Sequence, residues 1–173
     1  ENDGELLKKH ALTTPGTKHW SRNIRNPELY FKPGLSWPRR TQRGFNVRVL
    51  GPGHIFADKG PAVFPKAAPD KWWLLGILNS AVVEYILTSI TSFGSWEVGA
   101  VQRTPIPPLN SGEQHKVAHH AEAIHDAKAT WDYGNEISTC FRIPWIIRED
   151  IIDQHTSIPI RLDRIADHEA AEE

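Results

Sequence analysis

The chain has 173 residues, 39% hydrophobic and 24% charged, with a mean hydropathy of −0.45. That is the composition of a folded globular chain rather than a disordered one. No apolar run approaches the ~20 residues that cross a bilayer, and the one cysteine, Cys140, excludes an internal disulfide framework and a cysteine-based zinc site.

The net charge of −1 hides a sharp division. From 18 to 59, nine bases (Lys18, Arg22, Arg25, Lys32, Arg39, Arg40, Arg43, Arg48, Lys59) face two acids, Glu28 and Asp58. From 146 to 173, three arginines (148, 161, 164) face eight acids. The first segment is expected to meet a polyanion and the second to act as a solvating tail. The chain opens on Glu1, contains no methionine and carries no signal-peptide pattern. A piece of a larger cytoplasmic protein is the expectation, with no membrane partner.

In chain order, 5–12 (ELLKKHAL) reads as a helix end stopped by Thr13-Thr14-Pro15-Gly16. Pro27, Pro33-Gly34 and Pro38 then forbid a continuous helix. Short strands are expected at 35–39, 45–50, 54–57 and 61–64, with FNVRVL alternating inward and outward and Gly51-Pro52-Gly53 as a turn. From Asp70, placed as N-cap, KWWLLGILNSAVVEYILTSI follows a 3.6-residue apolar period and predicts one buried helix beneath the sheet. Asn79 and Ser80 inside it are expected to hydrogen-bond to a neighbouring element.

A strand pair is expected at 96–98 and 100–102, then RTPIPPL as an extended strap. Ser111 with Gln114 has the spacing of a capping box opening a polar helix that runs to about Trp131. An amphipathic stretch, IPWIIREDIIDQ, precedes an acidic end, DRIADHEAAEE, expected to fray. The fold class is therefore α+β: a small mixed sheet packed on an apolar helix over 1–109, then a helical extension over 110–173.

The strongest chemical signal is WPRRTQRGFNVRVLGPGHIFADK, 37–59. Arginine forks phosphate or guanine, while Gln and Asn pair with adenine edges. Arg39, Arg40, Thr41, Gln42, Arg43, Asn46, Arg48 and Lys59 are the candidate DNA-binding residues, in a span with no acid from Leu29 to Ala57. The competing reading is a solvated basic loop. Asp58-Lys59 reads as a structural ion pair. His115 and His119 have an i,i+4 metal-ligand spacing but no third ligand with a defined place, so an exposed polar helix is the better reading and no metal is assigned. Cys140 is expected to pack rather than react. No glycine-rich nucleotide turn occurs, so no catalytic residue is assigned.

GLSWPRRTQRGFNVRVLGPGHIFADKGPAVF, LLGILNSAVVEYIL with SFGSWEVGAVQRTPIPPL, and WDYGNEISTCFRIPWII together resemble the target-recognition and C-terminal regions of class I adenine-N6 DNA methyltransferases. Within that class they are most similar to the PglX-type methylases of BREX phage-defence systems, with type IIG restriction–modification methylases as relatives. The resemblance implies a target-recognition domain over 1–109 that grips double-stranded DNA through Arg39 to Arg43, supported around Trp96, Glu97 and Gln102, with 96–107 as closing strand and strap. It also implies an S-adenosylmethionine-binding catalytic domain N-terminal to this chain, which itself holds no cofactor, and partners among other defence-system proteins. A non-catalytic DNA specificity subunit and a protein-interaction domain built on the acidic tail are the alternatives.

Overall fold

The computed structural model describes residues 4–92, 94–148 and 157–172. They form two compact units, Glu1–Ala118 and His119–Glu173.

In the first unit, α1 (Glu5–Leu12) ends where Thr13 turns both its amide and its hydroxyl onto the His10 carbonyl, at 3.0 and 2.7 Å. Two single 3-10 turns follow, Trp20–Arg22 and Pro27–Leu29. Three short strands come next: β1 (Gly34–Ser36), β2 (Arg48–Leu50) and β3 (Ala62–Val63), in the order β2-β1-β3. Both pairings are antiparallel, where a mixed sheet was expected. Leu35 of the central strand faces Val49 and Val63 and is fully buried. No strand forms at 54–57. There the backbone of Ala57 and Gly60 closes a tight turn over Asp58-Lys59 through two hydrogen bonds of 3.3 and 3.1 Å.

The long apolar helix is two helices, α2 (Asp70–Leu78) and α3 (Ala81–Ile90), bent by 61°. Periodicity alone does not reveal the break, because the apolar pattern continues across it. Its cause is polar: Ser80 adopts an extended backbone and its hydroxyl accepts from the Val83 amide at 3.3 Å, capping α3. Asp70 is the first helical residue rather than the N-cap, and its carboxylate accepts from Trp73 Nε1 at 3.0 Å. Among the described residues no single helix is long and apolar enough to cross a membrane.

Residues 96–102 are not a strand pair. Val98–Val101 is a single helical turn, α4, followed by an extended strap without helix or strand. The core of this unit gathers Leu35, Trp37, Phe45, Val47, Leu75, Leu78, Val83, Leu87 and Trp96. Phe45 lies between the two tryptophans, 5.9 Å from Trp37 and 5.5 Å from Trp96, centroid to centroid. Burying each such side chain contributes roughly 1.5–3 kcal/mol.

Helix α5 (Ser111–Asp132) has the expected length, but its capping box is one residue earlier than expected. Asn110 Oδ1 accepts from the Glu113 amide at 3.0 Å, while Glu113 Oε2 accepts from the Asn110 amide at 2.8 Å. Gln114 instead donates to the Leu109 carbonyl at 3.2 Å.

In the second unit the end of α5 meets a 3-10 turn, Trp145–Ile147. Trp131 and Trp145 pack with centroids 4.2 Å apart, and Arg148 donates to the Thr130 carbonyl at 2.6 Å with its guanidinium over Trp145. The buried Gly134 lies against the Trp145 ring, where any Cβ would collide. The rest of the expected amphipathic stretch, 149–154, falls outside the described residues. The acidic end is helical: α6 spans Ile158–Glu172, and Arg161 donates to the Ile146 carbonyl at 3.1 Å. Cys140 is exposed rather than packed, its amide held by the Ser138 hydroxyl at 3.1 Å.

Candidate nucleic-acid interface

The basic segment is anchored from both sides. Past β1, the Trp37 and Arg39 amides donate to the Pro61 and Lys59 carbonyls at 3.3 and 3.0 Å. On the opposite edge the Trp96 amide donates to the Arg39 carbonyl at 2.8 Å, and the Thr41 amide donates to the Gly94 carbonyl at 3.0 Å. Trp37 Nε1 adds a buried hydrogen bond to the Trp96 carbonyl at 2.9 Å. The chain then turns at Thr41–Gly44, where the Thr41 hydroxyl accepts from the Arg43 amide at 3.1 Å. Gly44 has φ +84°, a conformation that disfavours any other residue, and sits against the Glu84 carboxylate of α3.

After the turn, Phe45 and Val47 point into the core while Asn46 and Arg48 are exposed, the alternation expected of FNVR. Val47 is locked by the side chain of Asn79, at the break between α2 and α3. Asn79 Oδ1 accepts from the Val47 amide at 2.8 Å, and Asn79 Nδ2 donates to the Val47 and Leu75 carbonyls at 3.0 and 3.1 Å. The primary amide stands in for a neighbouring strand's peptide group. The expected hydrogen bonding of Asn79 to another element is thus observed, and it fixes the loop's exit.

The eight candidate residues divide by environment. Arg39 is half-buried and committed to structure. Its Nε faces both Glu97 carboxylate oxygens at 2.9 Å, its NH2 lies 2.9 Å from Glu97 Oε1, and its NH1 pairs with Asp58. The Ser95 hydroxyl steadies Glu97 at 3.1 Å. The hydrogen bond from Arg39 holds the Glu97 carboxyl below its usual range, against the opposing effect of desolvation. The hydrogen bond to Glu97 likewise raises the Arg39 pKa. Lys59 is exposed and lies 3.4 Å from the second Asp58 oxygen, the ion pair expected there.

Arg39 and Lys59 therefore offset Glu97 and Asp58, and sequence spacing does not reveal this neutralisation. Glu97 is 58 positions from Arg39. Thr41 is half-buried and spends its hydroxyl on the turn. Arg40, Gln42, Arg43, Asn46 and Arg48 are exposed, and among the described residues none of the three arginines has a carboxylate partner. Arg48 Nε reaches Asn46 Oδ1 at 3.4 Å, putting a fork of donors beside an amide on one face. What remains on the loop is three guanidiniums without an ion-paired carboxylate among the described residues, and two amides, on a backbone fixed at both ends, a combination able to hold phosphates and pair with base edges.

This chain is similar to an adenine-specific methyltransferase. It is 28% identical over 134 residues to the adenine-specific methyltransferase BrxX of Escherichia coli O9:H4 (strain HS). The alignment covers 76% of this chain and 10% of that protein, so the chain spans about a tenth of its relative's length. No family model matches. The similarity supports a relation to methyltransferases of this kind.

Proposed function

We propose that this chain is the DNA-recognition part of a site-specific adenine-N6 DNA methyltransferase of a BREX-type phage-defence system, in the cytoplasm. The S-adenosylmethionine-binding catalytic domain lies elsewhere in the parent protein. The observation that carries the reading is the anchored loop 40–48, which presents Arg40, Gln42, Arg43, Asn46 and Arg48, its three arginines without an ion-paired carboxylate among the described residues. The similarity to an adenine-specific methyltransferase supplies the enzyme class. In this reading the three arginines hold phosphates or guanine edges, Gln42 and Asn46 read bases, and Arg39 with Glu97 shapes the loop without touching DNA. The duplex is gripped while the catalytic domain acts on an adenine swung out of the stack.

A salt titration of binding to a random-sequence duplex tests this. Three phosphate contacts give a log–log slope of about −2.7, or steeper with further contacts. The Arg40→Ala/Arg43→Ala/Arg48→Ala variant is expected to lose that increment. Binding that the triple variant retains unchanged, in strength and slope, would sink the proposal.

A further inference from the structure

We infer that a second basic site, the cleft around the 3-10 turn Trp20–Arg22, takes a phosphodiester group of the nucleic-acid backbone. The inference rests on the DNA-binding reading above but concerns residues outside the loop that carries it. The cleft has a volume of about 400 Å³ and is lined by Gly16, Lys18, His19, Ser21, Arg22 and Arg25. From 6 to 27 the sequence contains no aspartate or glutamate and five bases: Lys8, Lys9, Lys18, Arg22 and Arg25.

The cleft is built rather than being a chance meeting of mobile side chains. Arg22 NH1 donates to the Gly16 carbonyl at 2.9 Å, folding the preceding loop back onto the turn. Asn23 Nδ2 reaches the Thr17 hydroxyl at 3.5 Å, and Ile24, 8% exposed, roots the segment. Trp20 is held between the His19 ring, 5.0 Å away, and the Lys8 ammonium, 5.2 Å from its centroid. His19 Nδ1 lies 2.8 Å from the Ser21 hydroxyl and 3.3 Å from the Ser21 amide, which ties the ring to the turn.

Charge balance separates this cleft from an ordinary ion-pair network. In the loop, Arg39 and Lys59 each have a carboxylate within ion-pairing distance. Among the described residues, Lys18, Arg22 and Arg25 have none. Exposed cations of one sign, gathered in an open cleft with a hydroxyl and an imidazole, suit a phosphate carried on a polymer. Such a contact carries no sequence information, so its effect is uniform across targets.

The test is anisotropy of a labelled random-sequence duplex titrated with salt, on this chain, on Lys18→Ala/Arg25→Ala, and on Arg40→Ala/Arg43→Ala. Arg22 is left intact because it holds the Gly16 carbonyl. Two contacts added to the loop's three give the unaltered chain a slope of about −4.5, a ~500-fold loss of affinity from 50 to 200 mM salt. Lys18→Ala/Arg25→Ala is expected to flatten the slope to about −2.7, a ~40-fold loss, with an unchanged thermal midpoint and the same effect on unrelated duplexes. Restoration of the slope by Lys18→Arg/Arg25→Lys completes the expected result. If Lys18→Ala/Arg25→Ala matches the unaltered chain while Arg40→Ala/Arg43→Ala is weakened, this second site is overturned and the reading of the loop stands. If the loop variant alone is without effect, the loop reading fails and the cleft becomes the main contact. No binding by the unaltered chain overturns both.

Discussion

Replacing Asn79 with alanine tests whether one side chain sets the conformation of the recognition loop. The substitution removes three hydrogen bonds, one accepted from the Val47 amide and two donated to the Val47 and Leu75 carbonyls. Each intramolecular hydrogen bond contributes a net ~1 kcal/mol, and a buried polar group left without a partner costs ~1–3 kcal/mol. Val47 is only 4% exposed, so its peptide pays part of that penalty. Asn79 itself is exposed, so water recovers part of the loss. The balance is about 2 kcal/mol, or roughly 8 °C in the midpoint of a unit this size.

Thermal and urea unfolding of Asn79→Ala measure it directly, with Asn79→Asp as companion. Aspartate keeps the acceptor for the Val47 amide but loses both donors and sets a carboxylate against two carbonyls. It is therefore expected to be at least as damaging as alanine. The reasoning is refuted if Asn79→Ala unfolds within about 0.5 kcal/mol of the unaltered chain. In the proposed function the same variant weakens duplex binding below its unfolding midpoint, because the exit of the loop at Val47 is released.

The ion pair at Arg39 predicts a pH dependence. The Glu97 carboxyl is lowered in the folded state by its hydrogen bond from Arg39, so its stabilising contribution is present above the usual glutamate value of 4.5 and is lost as pH falls through the lower folded-state value. The Arg39 shift is upward from an already high value and leaves stability flat across neutral pH. Glu97→Gln should flatten the acid limb of a midpoint-against-pH profile, and an unaltered limb would remove the pair from the account. In the second unit, Gly134→Ala places a methyl group in the Trp145 ring and is expected to cost about 1–3 kcal/mol by overpacking. Tryptophan fluorescence during urea unfolding reads this out; a midpoint equal to that of the unaltered chain would contradict the packing of Gly134 against Trp145.

The sequence by itself determined the local features whose causes are local. The α+β class, α1 with its stop at Thr13, the extent of α5, and the inward–outward alternation of Phe45 to Arg48 all follow from periodicity, prolines and caps. The acid-free basic span was equally legible, because charge is written directly in composition. Tertiary structure decided what depends on partners far along the chain. A continuous apolar period concealed the break at Asn79-Ser80, where Ser80 caps α3 and the Asn79 side chain holds the Val47 peptide, 32 positions away. The expected strands at 96–102 gave way to a helical turn at Val98–Val101, with Trp96 in the core and its amide on the Arg39 carbonyl. Arg39 resembles its neighbour Arg40 in sequence, yet the fold neutralises one and leaves the other open. Carboxylates distant in sequence meet the first arginine only after the chain has closed around Trp37, Phe45 and Trp96.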